Sequence, residues 1–201
     1  MNSGYSKIIR DNLDRLYADL PEDLLRNLPA AQKDEAFLFK AFGRQCEIAR
    51  SGIFLDGNEE TGVLGILISL YALNANPETG RLEPLKGFKD FPNSAPYAGA
   101  FTTHTERILL DHTIKIEKAQ KSIIEKLSGD DAKELVGGDF SFWVRPLPKV
   151  SLCYIFYRAD EDFPPSATCL FSFNALQFLP IDALADVGEY TSRRILQLVG
   201  E

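Results

Sequence analysis

Apolar residues recur at helical spacing from the start of the chain. Ile9, Leu13, Leu16, Tyr17 and Leu20 fall on one face, with Asp, Arg and Asn between them, and this predicts a helix over residues 5–20. Pro21 ends that helix and suits the first turn of a short second one over 21–28, which Pro29 stops. The pattern then changes to short apolar runs. Residues 36–42, 45–50 and 53–55 read as three strands separated by Gly43-Arg44 and Ser51-Gly52, and Asp56-Gly57-Asn58 closes the group. Residues 61–75 are apolar on most faces, which predicts a helix lying against a sheet. Gly62 and Gly65 let a backbone approach closely there, at some loss of helix propensity.

Residues 77–98 show no period and contain Pro77, Pro84, Pro92 and Pro96. Loops of this length in compact domains are usually functional or disordered, and the aromatic residues in this one argue against disorder. Helical spacing returns over 99–127 with a break expected near Thr113; Ile116, Ile123, Ile124 and Leu127 point inward beyond it. Residues 128–131 turn the chain into three strands, 140–145, 150–157 and 168–173, and an amphipathic helix over 181–199 closes it. The fold class expected is α+β. The two strand groups are expected to join in one mostly antiparallel sheet, since short connections favour hairpins, packed by the central and C-terminal helices. Residues 1–201 read as one domain, with 1–30 as a helical N-terminal appendage. Pairing of 140–144 with 150–157 is the check on this architecture.

Composition narrows the function classes. Forty-five per cent hydrophobic and 25% charged residues suit a soluble globular chain of 201 residues. The net charge of −7 (22 basic against 29 acidic residues), with Arg193-Arg194 as the densest basic pair, argues against nucleic acid as a partner. Residues 63–73, the longest apolar run, are about half of a bilayer span, so no membrane partner is expected. The first ten residues lack the apolar core of a signal peptide, which predicts a cytoplasmic location. Cys46, Cys153 and Cys169 have no local Cys spacing and sit in apolar runs, so they read as buried reduced thiols and supply no iron–sulphur ligand set.

The candidate chemistry is sparse. His104 and His112 on one continuous helix would stand about 12 Å apart, too far to share a metal, and no metal site is expected. No Gly-x-Ser-x-Gly elbow or phosphate-cradling glycine loop occurs. The carboxylates Asp160, Glu161 and Asp162 crowd one turn, with Asp139 near a neighbouring strand end. Such a cluster serves acid–base work or binds a hard cation, or is simply a solvated hairpin turn that Pro164-Pro165 keep from pairing further. The 77–98 loop combines the cations Arg81, Lys86 and Lys89 with the aromatics Phe88, Phe91 and Tyr97. Aromatic and cationic side chains together enclose a flat or anionic ligand or form a hot spot; the plainer alternative is a loop that seals the edge of the core. Trp143 and Arg145 share a strand face and are candidates for the same cleft.

Two stretches carry a resemblance. Residues 138–196, with the bend Arg145-Pro146-Leu147-Pro148-Lys149-Val150 and the turn Asp160-Glu161-Asp162-Phe163-Pro164-Pro165-Ser166, resemble the domain of unknown function numbered thirty-seven eighty-six. Leu67-Ile68-Ser69-Leu70-Tyr71, Thr79-Gly80, Gly87-Phe88-Lys89-Asp90-Phe91-Pro92, Tyr97 and Phe101 resemble it more loosely. The resemblance implies a family of mainly anaerobic bacteria and archaea, some of whose members carry an iron–sulphur domain similar to those of corrinoid proteins. This chain departs from it in lacking cluster cysteines and in having Leu70 where many relatives have a His.

These readings identify no reaction. They favour a non-catalytic accessory domain that binds a small ligand or a protein partner, with no cofactor predicted. The alternatives are an enzyme using the Asp139, Asp160, Glu161 and Asp162 cluster, and a corrinoid or tetrapyrrole accessory protein, the last on family company alone.

Overall fold

The structure is a computed structural model that describes residues 3–200, with side chains from residue 4. Met1, Asn2 and Glu201, included in the expected domain span, lie outside the described residues. Helix α1 (Ser3–Ala18) buries Ile9, Leu13, Leu16 and Tyr17, the stripe its spacing predicts, while Leu20 falls beyond the helix and is exposed. The short α2 (Leu24–Asn27) follows Pro21. Five strands then form a meander: β1 (Ala31–Lys33), β2 (Ala36–Ala41), β3 (Arg44–Ala49), β4 (Gly52–Leu55) and β5 (Asn58–Glu59), antiparallel in that spatial order. Phe42-Gly43 and Asp56-Gly57 turn two of its hairpins with both residues at positive φ, the geometry that matches strand twist.

Helix α3 (Val63–Leu73) is apolar nearly all round because it is buried between α1 and the rest of the core. Asn12 Nδ2 donates to Ser69 Oγ at 2.9 Å, tying α1 to α3, and the Tyr17 hydroxyl reaches the Ile48 carbonyl of β3 at 3.2 Å. The N-terminal helix thus shares the main core.

The second sheet has the order β6-β10-β9-β8-β7, again all antiparallel. Its strands are β6 (Lys86–Gly87), β7 (Asp130–Asp131), β8 (Phe140–Leu147), β9 (Val150–Tyr157) and β10 (Ser166–Phe171). Phe140 to Val144 pair with Leu152 to Phe156, as the sequence pattern requires. The fold class is α+β. The expectation of one joined sheet is corrected: the two strand groups form two separate sheets. Each group satisfies its backbone through its own hairpins, and the first ends in short exposed strands, β1 and β5, that leave little edge to share. The two meet where the Phe42 turn docks on a register shift in β8, Phe42 N–H donating to the Pro146 carbonyl at 2.7 Å.

The remaining helices cover the core face of the second sheet. The helical pattern over 99–127 resolves into α4 (Ala98–Phe101), a π turn (Thr102–Glu106), a 3₁₀ segment (Arg107–His112) and α5 (Thr113–Lys126). The break therefore spans the eleven residues before Thr113, and His104 and His112 do not share a continuous α-helix. The four-residue α6 (Lys133–Val136) precedes β8, and α7 (Ile181–Leu198) closes the fold. Gly188 of α7 lets the π turn approach closely: a Cβ there would lie 2.5 Å from the Phe101 ring and 2.9 Å from Thr105 Oγ1.

Candidate functional site

The long loop is anchored rather than free-standing. Asn174 accepts the Arg81 N–H at 2.8 Å and donates to the Thr79 carbonyl at 2.9 Å, while the buried Lys149 ammonium donates to the Asn76 carbonyl at 2.6 Å. β10 ends at Phe171, two residues before the strand expected from sequence; Ser172 N–H still bonds the Ser151 carbonyl of β9, and the loop takes over at Phe173, whose N–H donates to the Arg81 carbonyl. Phe88, Phe91 and Phe101 all pack on Phe171, with Phe88 and Phe101 stacked at 4.3 Å.

Strand β6 is too short to cover its neighbour. It pairs only Gly87 with Leu170 and Lys86 with Phe171, and then turns into a 3₁₀ segment (Phe88–Asp90) whose Asp90 accepts the Gly87 N–H. The next outward-facing donor along β10, the Cys169 N–H, would be left at an open sheet edge. A side chain takes it: Glu106 Oε1 accepts that N–H at 3.0 Å. Glu106 reaches the strand because it ends the π turn, whose wider coil sends Thr105 inward against α7 and Glu106 toward β10.

Beside this carboxylate lies a cleft of about 250 Å³. Phe88, Ala98, Phe101 and Leu170 give it apolar walls; Thr102, Thr168, Lys89 and Glu106 give it polar ones. Burial raises the proton affinity of Glu106 above that of an ordinary carboxylate. The Cys169 N–H, the Thr102 hydroxyl and the positive charge of Lys89 oppose that rise without cancelling it. Lys89 is exposed and makes no ion pair within 4.0 Å, with Glu106 or with any other described carboxylate.

A buried polar chain supports the site from behind. The Ser192 hydroxyl of α7 donates to the Thr105 carbonyl at 2.7 Å, so it accepts from the Tyr154 hydroxyl, 3.0 Å away. The Cys169 thiol hydrogen-bonds Tyr154 in turn, and burial pushes both groups well above their usual pKa values. Cys169 is a protonated thiol that props the strand. Cys46 and Cys153 are likewise free and buried, each pushed up to about 12 mainly by loss of hydration.

Phe88 and Lys89, flagged from the sequence, line the cleft, and Phe91 stands behind them in the aromatic cluster. Lys86 Nζ and the Arg81 guanidinium both sit over the Phe173 ring, at 4.4 and 4.9 Å. Tyr97 borders a neighbouring hollow of about 210 Å³ with His104, Asp182, Asp186 and Glu189. Trp143 and Arg145 stack on one another at 5.2 Å, away from this cleft: Gly87, Leu170, Cys153 and Trp143 lie in register across the sheet, so Trp143 is three strand spacings, about 14 Å, from the loop.

The carboxylate cluster occupies the other end of β10. Asp139 accepts the Arg158 N–H at 2.6 Å, Arg158 pairs with Glu117, and Asp160 caps its own turn by accepting the N–H groups of Asp162 and Phe163. Glu161 and Asp162 are exposed. Glu106 was not singled out by sequence reasoning. Its one signal is its position three and four residues before Leu109 and Leu110, on the apolar side of a helix, where an unpaired carboxylate is costly. Among the described residues no group of three or more His, Cys, Asp or Glu is arranged to hold a metal ion, and no helix is long and apolar enough to cross a membrane.

No curated protein and no solved structure matches the chain. One family does, over residues 20–194, which include every element from α2 to most of α7 and the whole of the cleft. It is described as a domain of unknown function, DUF3786, and the chain belongs to that family.

Proposed function

We propose that this protein is a cytoplasmic accessory domain that binds a small polar ligand in the cleft at the open edge of β10, with Glu106 as its principal recognition group. The observation that carries the reading is the half-buried carboxylate itself. It is held against the strand edge by Cys169 N–H, lines the cleft with acceptor capacity beyond that bond, and bears a desolvation cost that folding alone does not require. Polar groups retained at such a cost cluster at functional sites. A volume just under the ~300–1,000 Å³ of sites for drug-sized ligands supports a metabolite-sized molecule over a corrinoid or other tetrapyrrole.

The reading needs no covalent step. Both thiols near the sheet are protonated and buried, and the Asp139 and Asp160 carboxylates are engaged by backbone N–H groups. The test is to incubate anaerobically purified protein with the small-molecule fraction of a cell extract and identify what it retains by native mass spectrometry. Wild-type protein should hold a compound that the Glu106→Gln variant releases. Retention of the same compounds by both, or of none by either, would contradict the proposal.

A further inference from the structure

Resting on that reading of the cleft, we propose that its ligand is a small zwitterion of the amino-acid class with an apolar side chain. Its ammonium group would sit on Glu106, its carboxylate on Lys89, and its side chain against the Phe88 and Phe101 walls.

The charge pattern of the lining is the first argument. Of the ten residues around the cleft only two are charged, one of each sign, and they do not pair with each other. A simple cation would meet Lys89 and a simple anion would meet Glu106, so each loses on one side what it gains on the other. A molecule carrying both charges satisfies both.

Hydrogen-bonding capacity is the second. Glu106 Oε1 takes the Cys169 N–H and Thr102 supplies a further bond to the carboxylate, which leaves acceptor sites for the N–H groups of an ammonium. Lys89 lines the same cleft and is exposed, with its ammonium in no described ion pair, and Thr168, which carries a hydroxyl donor, lines it too. The apolar walls make the third argument. Phe88, Phe101, Ala98 and Leu170 leave no charged partner for a polar side chain, and 250 Å³ fits one amino acid.

The probes are L-leucine, L-valine, L-methionine and L-phenylalanine, titrated by calorimetry against the full chain. Two half-analogues of leucine accompany them: isopentylamine, which lacks the carboxylate, and 4-methylpentanoate, which lacks the amine. At least one amino acid should bind. Each half-analogue should bind at least tenfold more weakly than leucine, because the one charge it lacks leaves one lining group unpaired. Glu106→Gln and Lys89→Met should each weaken amino-acid binding at least tenfold, with circular dichroism confirming that both variants fold. If the amine alone binds as tightly as leucine, the site is a cation site and the zwitterion proposal is overturned while the binding reading stands. If none of the four amino acids binds at millimolar concentration, the proposal is overturned too. A compound retained from the extract would then preserve the binding reading, and retention of nothing would end both.

Discussion

The Glu106 carboxylate accepts the backbone N–H of Cys169 at 3.0 Å, so a side chain from a helical segment stands where a sheet would place its next strand. That substitution opens the edge of β10 into a cleft and leaves a charged group half-buried. The arrangement satisfies the N–H but serves the carboxylate poorly, since burial still raises its proton affinity.

The pH dependence of stability follows from that direction. A carboxyl whose folded pKa lies above its unfolded value binds its proton more tightly when folded, so its contribution is full below the unfolded pKa and is lost as pH rises through the folded one. Glu106→Gln keeps an oxygen for the Cys169 N–H and removes this loss. The variant should melt at a higher temperature than wild type at pH 7, with the gap closing toward pH 4. Thermal melts of both proteins across that range check it; a variant less stable at pH 7 would show that the charge stabilises the fold.

Phe171 is fully buried and meets the rings of Phe88, Phe91 and Phe101. Phe171→Ala should cost about 3–5 kcal/mol in urea unfolding, from lost transfer energy and the cavity left behind. A loss below ~1 kcal/mol would mean that the loop collapses into the space and the aromatic cluster does not hold the wall of the cleft.

Gly188 sets the position of the π turn. A methyl group there would press on Phe101 and Thr105 from 2.5 to 3.1 Å away, and neither can retreat without moving the turn that carries Glu106. Gly188→Ala should destabilise by about 1–3 kcal/mol and weaken ligand retention, although residue 188 does not line the cleft. Undiminished retention would separate the π turn from binding.

All three thiols are buried and protonated at neutral pH. Ellman's reagent should label none within the time that an exposed thiol reacts fully, and all three in denaturant. Rapid labelling of Cys169 in folded protein would show that the edge of β10 opens to solvent.

Much of the framework was legible because it depends on periodicity. The stripe from Ile9 to Tyr17, the β8–β9 hairpin and the amphipathic α7 each bury one side of a regular element, and regular burial writes itself into sequence. The division into two sheets was not legible. It depends on which edges remain free, and strands such as β1, β5 and β6, two or three residues long, leave no pattern. The loop was legible as a candidate from Phe88 and Lys89, and both line the cleft. Glu106 escaped because its role comes from a π turn and from the shortness of β6, neither of which alters residue spacing. Trp143 and Arg145 show the converse: a shared strand face placed them together, and strand order placed them far from the loop.

Amide chemical-shift mapping reads out directly whether a ligand enters beside Glu106. With the backbone assigned, the small-molecule fraction of a cell extract is added to ¹⁵N-labelled protein. The amides of Phe88, Lys89, Thr102, Glu106 and Cys169 should shift first and together. Shifts confined to Asp160–Phe163 or to Trp143 and Arg145, with the Cys169 amide unmoved, would contradict it.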